Sequence, residues 1–400
     1  MKAIALGVFA TILVAGGTAS ATTPVVTWNG SSFTQFDTGW FPASATNGVG
    51  FGDELEIHQG GANGDYPYDS ELVWSNAGVF AGALGGGQGA PCYGTGCSGG
   101  ESQDSALDLA LAGDSSSSST LFISMFGHNA APVEDEPLPG IQYRTANWTG
   151  TGSVAWNNDL TDFVNAGQNT AGKTTSGAFE PTVAQANGLG SYATAFVEMH
   201  SGLTAGYPPF ASSQLYYTVG YLNSNGHTVN WSSSPHTFPG TAGYHSSVAM
   251  WPMSATQYFV VEVHNASTGV SNLVYTTGYL TAGASTIAWD LPSAVYDSAG
   301  LRPQVAVCSE DNVDPEPNFG GTNTPAVIAF HSSGAGALWY HTGRIGGSSG
   351  HYVQWGGSVQ VSGISALDGK PSVACTQNYG YEAHTNNSSG ALVRRTFELN

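Results

Sequence analysis

The feature that most constrains this chain is a sentence it writes several times, because internal repetition fixes architecture before any local propensity does. A hydrophobic run closed by His occurs as LEIH at His58, FISMFGH at His128, FVEMH at His200, VVEVH at His264, VIAFH at His331 and YEAH at His384. An aromatic-rich run follows each time, from Leu72, Ile141, Leu215, Leu273, Leu338 and Leu392. A run closed by Trp appears at Trp28, Trp156, Trp231, Trp289 and Trp355, and its missing copy is expected in the Gly-rich stretch around Cys92 and Cys97. A small-residue run reads PTVA, SSVA, PQVA and PSVA, ending at Ala184, Ala249, Ala306 and Ala374, with degenerate copies near Ala43 to Thr46 and Leu107 to Ala112.

Each run is short, β-branched or aromatic, and bounded by Gly, Pro, Asn or Ser, which is how strands read. Four strand types per repeat, six times over, predict an all-β chain forming a single β-propeller of six four-stranded blades. Short solenoid coils, as in a parallel β-helix, do not need four distinct strand types. The expected blades span approximately 41–100, 105–157, 181–232, 246–290, 303–356 and 371–399, within one domain at 22–400. Crowding near the axis favours small side chains, so the Val-Ala run is placed innermost, the His run second, the aromatic run third and the Trp run outermost. The last blade then lacks an outer strand and 24–29 is an outer strand lacking a blade, so the ends are expected to pair and close the ring.

The first 21 residues read as an export signal, with Lys2, an apolar core from Ala3 to Gly17 and a small-residue Ala19-Ser20-Ala21 cleavage site. The apolar run is too short for a membrane span of about 20 residues, and the mature chain is expected to be secreted or periplasmic. Charged residues are 9% of the chain and the formal net charge is -20. Phosphate backbones are bound through Lys and Arg, of which there are 8 in all, so a nucleic-acid partner is excluded as an expectation. Four Cys in an exported chain permit two disulfides. Cys92 and Cys97, in PCYGTGC, are expected to close a small loop, and Cys308 and Cys375 fall at nearly matching places in two repeats, which leaves a bridge between them open.

In four copies of the His run Glu stands two residues before His: Glu56 with His58, Glu198 with His200, Glu262 with His264 and Glu382 with His384. Residues i and i+2 share one face of a strand, so each pair can meet side by side. One reading is a bond that helps blades pack; the other is a set of equivalent ligand or metal contacts, to which His331 would belong. The loops that follow the His strand and those that enter the small-residue strand are expected on one face. They carry Trp40, Tyr66, Tyr68, Tyr207 and Tyr296 among Asn, Asp and Gly, residues that suit sugars, since an aromatic ring packs on a pyranose and short polar groups bond its hydroxyls. Two acidic loops hold oxygen donors, Glu134, Asp135 and Glu136 in one, and Glu310, Asp311, Asp314 and Glu316 in the other. Ca²⁺ is an option at Asp311, Asp314 and Glu316, though neither loop follows a known calcium pattern and no cofactor is required by the sequence.

The succession Glu-Val-His, Leu-Trp-Tyr, Trp, Pro-Ser-Val-Ala resembles the repeat of secreted bacterial β-propeller lectins, which bind fucose and methylated sugars between blades. Six blades here against seven there, and His where that repeat has Phe, are departures. The resemblance implies a lectin-like protein without catalysis that binds glycans or polysaccharide at several similar sites. A propeller glycoside hydrolase or polysaccharide lyase with one site at the channel mouth, and a structural or adhesion module that binds protein, are the other readings the residues allow.

Overall fold

A computed structural model describes residues 23–46, 54–60, 69–76, 79–83, 107–112, 120–128, 140–148, 154–156, 161–162, 178–186, 194–202, 214–226, 228–266, 271–308, 325–346, 352–364, 367–376, 379–386 and 390–400. Every regular element among them is a β-strand, and no helix there is long and apolar enough to cross a membrane.

The unit of the fold is best seen in Gly243–Ser254, Gln257–Ala266, Leu273–Thr281 and Ala288–Asp297, an antiparallel meander in sequence order. These are the small-residue, His, aromatic and Trp runs, in the order read from the sequence. The same meander recurs in Leu301–Cys308, Ala326–Ser332, Leu338–Gly346 and Tyr352–Trp355, and in Ala178–Ala186, Ala195–Gly202, Gln214–Leu222 and Val229–Trp231. It recurs again in Leu107–Ala112, Thr120–His128, Gly140–Trp148 and Val154–Trp156. The remaining strands share one sheet. Leu367–Thr376, Tyr379–Asn386 and Ala391–Leu399 are followed by Thr34–Thr46, Glu54–Gly60, Asp69–Asn76 and Val79–Ala83. Val26–Trp28 pairs with the last strand of the chain, Val26 opposite Leu399 and Trp28 opposite Phe397.

Burial follows position in the sheet. Gln257–Ala266 is buried at every residue but its first and last, because neighbouring sheets cover both of its faces, which is why VVEVH is apolar almost without alternation. Ala288–Asp297 is exposed or half-buried throughout. The apolar core is accordingly divided into layers between sheets: Phe259, Val261 and Val263 pack with Val305, Val327 and Ala329 of the next. The small-residue strands stand side by side, Gly243–Ser254 next to Ala178–Ala186 and Leu301–Cys308, and Leu367–Thr376 next to Leu301–Cys308 and Thr34–Thr46. Four-stranded meanders packed face to face around adjoining inner strands are the arrangement of a β-propeller.

Cys308 and Cys375 form a disulfide across two of these adjoining strands, with the Cα atoms 5.3 Å apart. Three details differ from the sequence reading. The outer strand expected near Cys92 and Cys97 is Val79–Ala83, whose VFAGA follows directly on the aromatic run. Several Trp runs stop after three or four residues and a second short strand resumes the pairing, as His236–Thr237 does beside Gln214–Leu222. The strand expected to start at 41 begins at Thr34, because its first half pairs with Ala391–Leu399 before its second half pairs with Glu54–Gly60. Residues 1–22, with the expected signal, and Cys92 and Cys97 lie outside the described residues.

Candidate functional site

The four Glu-x-His pairs meet as the i, i+2 spacing requires. His Nδ1 lies 2.9 Å from a carboxylate oxygen in Glu56–His58, 2.8 Å in Glu198–His200, 2.8 Å in Glu262–His264 and 3.0 Å in Glu382–His384. All eight residues are buried, none more than 4% exposed. Burial pushes the carboxyls of Glu198, Glu262 and Glu382 above their ordinary range, with the adjoining His pulling the other way. Neighbouring groups close over the rings. Phe238 meets His264 edge-on, Phe33 meets His384 edge-on, and Tyr216 stacks on His200. Behind His264 sits Gly243, where a Cβ would lie 2.2 Å from the imidazole Cδ2 and 2.1 Å from the Asn265 carbonyl oxygen. This enclosure favours the packing role for these pairs over contact with a ligand.

His331 breaks the pattern. Ala329 stands where four of the other strands carry Glu, and His331 Nδ1 lies 3.1 Å from the Ser332 carbonyl oxygen instead. Its Nε2 faces Asp297 Oδ2 at 3.4 Å, and His341 Nε2 reaches the same oxygen at 2.6 Å. The longer contact lacks hydrogen-bond geometry, since His331 Nε2 makes no hydrogen bond. Contact with His331, then the His341 bond and the Ala299 N–H, hold Asp297 well below the usual carboxylate range, against the opposing effect of partial burial. Beside them Tyr296 stacks on Trp355 and meets His341 edge-on. Its hydroxyl is buried without a partner, and burial, reinforced by the charges of Asp297 and Glu262, pushes its pKa well up.

The surface offers a different kind of site. A cavity of about 560 Å³ is lined by Tyr244, His245, Leu301, Arg302, Ser332, Ser333, the turn Gly334 to Gly336, and Leu367. It gathers the segments that enter three small-residue strands and the turn that follows a His strand, the face on which ligand loops were expected. Five of the small-residue strands slip register near their starts, between Trp40 and Ala43, Phe179 and Thr182, Tyr244 and Ser247, Leu301 and Gln304, and Asp368 and Ser372. Such bulges re-aim side chains. At two of them His245 and Arg302 take φ of 55° and 53°, the left-handed region that non-glycine residues avoid. Both then line the cavity, so the backbone holds two cationic or polar side chains there at a conformational cost of about 1–3 kcal/mol each.

The residues singled out in the sequence therefore scatter. The eight residues of the Glu-x-His pairs are interior, Tyr296 and His331 stand at the Asp297 cluster, and Tyr66, Tyr68, Tyr207, Asp311, Asp314 and Glu316 lie outside the described residues. Trp40 belongs to the strand Thr34–Thr46, but its side chain is also outside what is described. Tyr244, His245 and Arg302 were not anticipated individually.

No protein-family model matches the chain. No curated protein matches it either. Solved structures do: AofleA from Arthrobotrys oligospora is similar over 94% of this chain and 87% of its own, at 12% identity and a TM-score of 0.53. The Trypanosoma rangeli sialidase is similar over 90% of this chain and 55% of its own, at 7% identity and a TM-score of 0.50. At such identities the likeness is one of fold.

Proposed function

We propose that this chain is an exported carbohydrate-binding protein, a six-bladed propeller closed by the pairing of Val26–Trp28 with the last strand, that holds glycan at the face where Tyr244, His245 and Arg302 converge. The observation that carries the reading is the 560 Å³ cavity built on two strained, bulged strand entrances. A half-buried Tyr supplies a flat apolar face, and the Arg302 guanidinium, Ser332 and Ser333 hydroxyls and His245 imidazole supply donors and acceptors for sugar hydroxyls. Because the bulge recurs in five strands, related entrances elsewhere around the ring would give several similar sites, and joint engagement of a polymeric glycan would raise avidity by about 10²–10⁴.

Binding without hydrolysis fits this cavity. Glycoside hydrolysis needs two carboxyl groups flanking the bond, about 5–9.5 Å apart, and none of the described residues lining the cavity is Asp or Glu. The sialidase with which the chain shares its fold acts on sugar, which agrees with the reading by analogy of fold alone. The signal at 1–21 and the secreted or periplasmic location belong to the same proposal.

The test is binding of the chain from Thr22 onward to a broad glycan array, followed by titration of the best ligand. Y244A should retain the circular dichroism of the parent and bind about tenfold more weakly, the loss expected for one aromatic platform. A blank array overturns sugar binding, and undiminished binding by Y244A removes the site from this cavity.

A further inference from the structure

We propose that Asp297, His331 and His341 form a binding site for one divalent transition-metal ion, Zn²⁺ before all others, at the junction of two adjacent sheets. The three ligand atoms lie within 4.8 Å of one another. The site is independent of the glycan reading.

Proton bookkeeping carries the inference. His331 Nδ1 lies 3.1 Å from the Ser332 carbonyl oxygen and His341 Nδ1 lies 3.2 Å from the Gly356 carbonyl oxygen. A carbonyl only accepts, so each Nδ1 carries a hydrogen, and a ring that holds only that hydrogen presents Nε2 as a lone pair. Both lone pairs face one atom, Asp297 Oδ2, at 2.6 Å from His341 and 3.4 Å from His331. Three electron-pair donors thus converge with no positive charge between them. One proton on His341 would serve the shorter contact and leave His331 Nε2, in a residue 2% exposed, unpartnered against a carboxylate. Two protons would stack two imidazolium rings, both buried, with centroids 5.5 Å apart and planes at 25°. A single dication satisfies all three donors at once.

The supports have the form that metal sites use. Histidine ligands commonly donate their other N–H to a carbonyl, which fixes the tautomer, and both do so here. Asp297 Oδ1 accepts the Ala299 N–H at 2.8 Å, which orients the carboxylate. Gly300 leaves room for the ring, since a Cβ there would lie 2.7 Å from His331 Nδ1. Tyr296 and Trp355 wall the His341 side. Ligands at about 2.0–2.1 Å around a tetrahedral ion lie about 3.3 Å from one another; the His331 to Asp297 separation has that value, and the His341 to Asp297 separation must open slightly. Two imidazoles and one carboxylate suit Zn²⁺ and its transition-metal neighbours, whereas Ca²⁺ takes six to eight oxygens. Three protein ligands leave a fourth position for water.

The repeat explains how the site arises. Glu198 and Glu262 stand opposite Thr218 and Thr276 on the neighbouring strand, whereas here Ala329 stands opposite His341. Loss of the Glu frees His331 from its usual partner, and the small Ala gives the second imidazole its place.

The experiment uses the chain stripped with chelator, titrated with Zn²⁺ by calorimetry and with Co²⁺ by visible absorption. One ion per chain and the intense Co²⁺ bands of four-coordination are expected. D297N and H341Q should bind more than 100-fold more weakly, beyond the about 10–100-fold lost when only a supporting hydrogen bond is removed, and H236Q, a His remote from the cluster, should bind as the parent does. Absence of stoichiometric uptake by the parent chain overturns the proposal whether or not the variants fold, and so does equal affinity in D297N and H341Q.

Discussion

Two strands that occupy the same place in adjacent sheets, Gln257–Ala266 and Ala326–Ser332, solve the burial of one histidine in opposite ways. In the first, His264 receives its partner from its own strand, two residues back, and the Glu262–His264 pair is sealed by Phe238 and Gly243. In the second, Ala329 offers no partner, and His331 looks outward to Asp297 of the preceding sheet and to His341 of the strand alongside. The comparison shows how a repeat becomes a site: removing one self-contained pair obliges a buried polar ring to find partners across a sheet boundary.

The largest effect that can break this comparison is the loss of one member of a sealed pair. E262A should lower stability by about 3–5 kcal/mol, the range for stripping a buried charge of its partner, measured by urea denaturation. The double variant E262L/H264F should recover most of that, and if it does not, the pair matters for more than its own satisfaction. Next is the bridge that ties the sheet of His331 to the one after it. C308S/C375S should cost about 2–5 kcal/mol, because the disulfide closes a loop with a sequence separation of 67; the difference from the parent should vanish in reductant.

The smallest effect is a pH slope. Burial raises Glu262 and Glu382 above the ordinary value of 4.5. Just above pH 4.5 the folded chain then keeps protons that the unfolded chain has released, so the contribution of each carboxyl to stability is full below that value and is lost as pH rises through the raised one. The stability difference between the parent and E262Q should therefore shift against the parent as pH climbs from 4.5, and a difference that stays flat would show that His264 offsets burial completely.

Much of this was written in the sequence. The strand types and their order within a sheet follow from residue size and periodicity, and a bridge between Cys308 and Cys375 could be considered because they stand at nearly matching places in equivalent strands. The cavity could not be read, since the left-handed backbone at His245 and Arg302 arises from a register slip that depends on the neighbouring strand. The Asp297 cluster was half visible. Tyr296, the neighbour of Asp297, and His331 each attracted notice, but separately, and His341 did not, although LWYHTG carries His where the two preceding copies carry Thr218 and Thr276. Departures from a repeat, in this chain Ala329 and His341 together, are more informative than the repeated residues themselves.

The pairing of Val26 with Leu399 sets a timetable for folding. The strand Val26–Trp28 leaves the ribosome long before its partner Ala391–Leu399. Closing so long a loop is entropically slow. Until it closes, the final sheet keeps an open edge that can recruit another chain. Nearly the whole sequence must therefore be made before the molecule can finish its first and last sheets together, so a nascent or truncated chain is the form most exposed to aggregation and proteolysis.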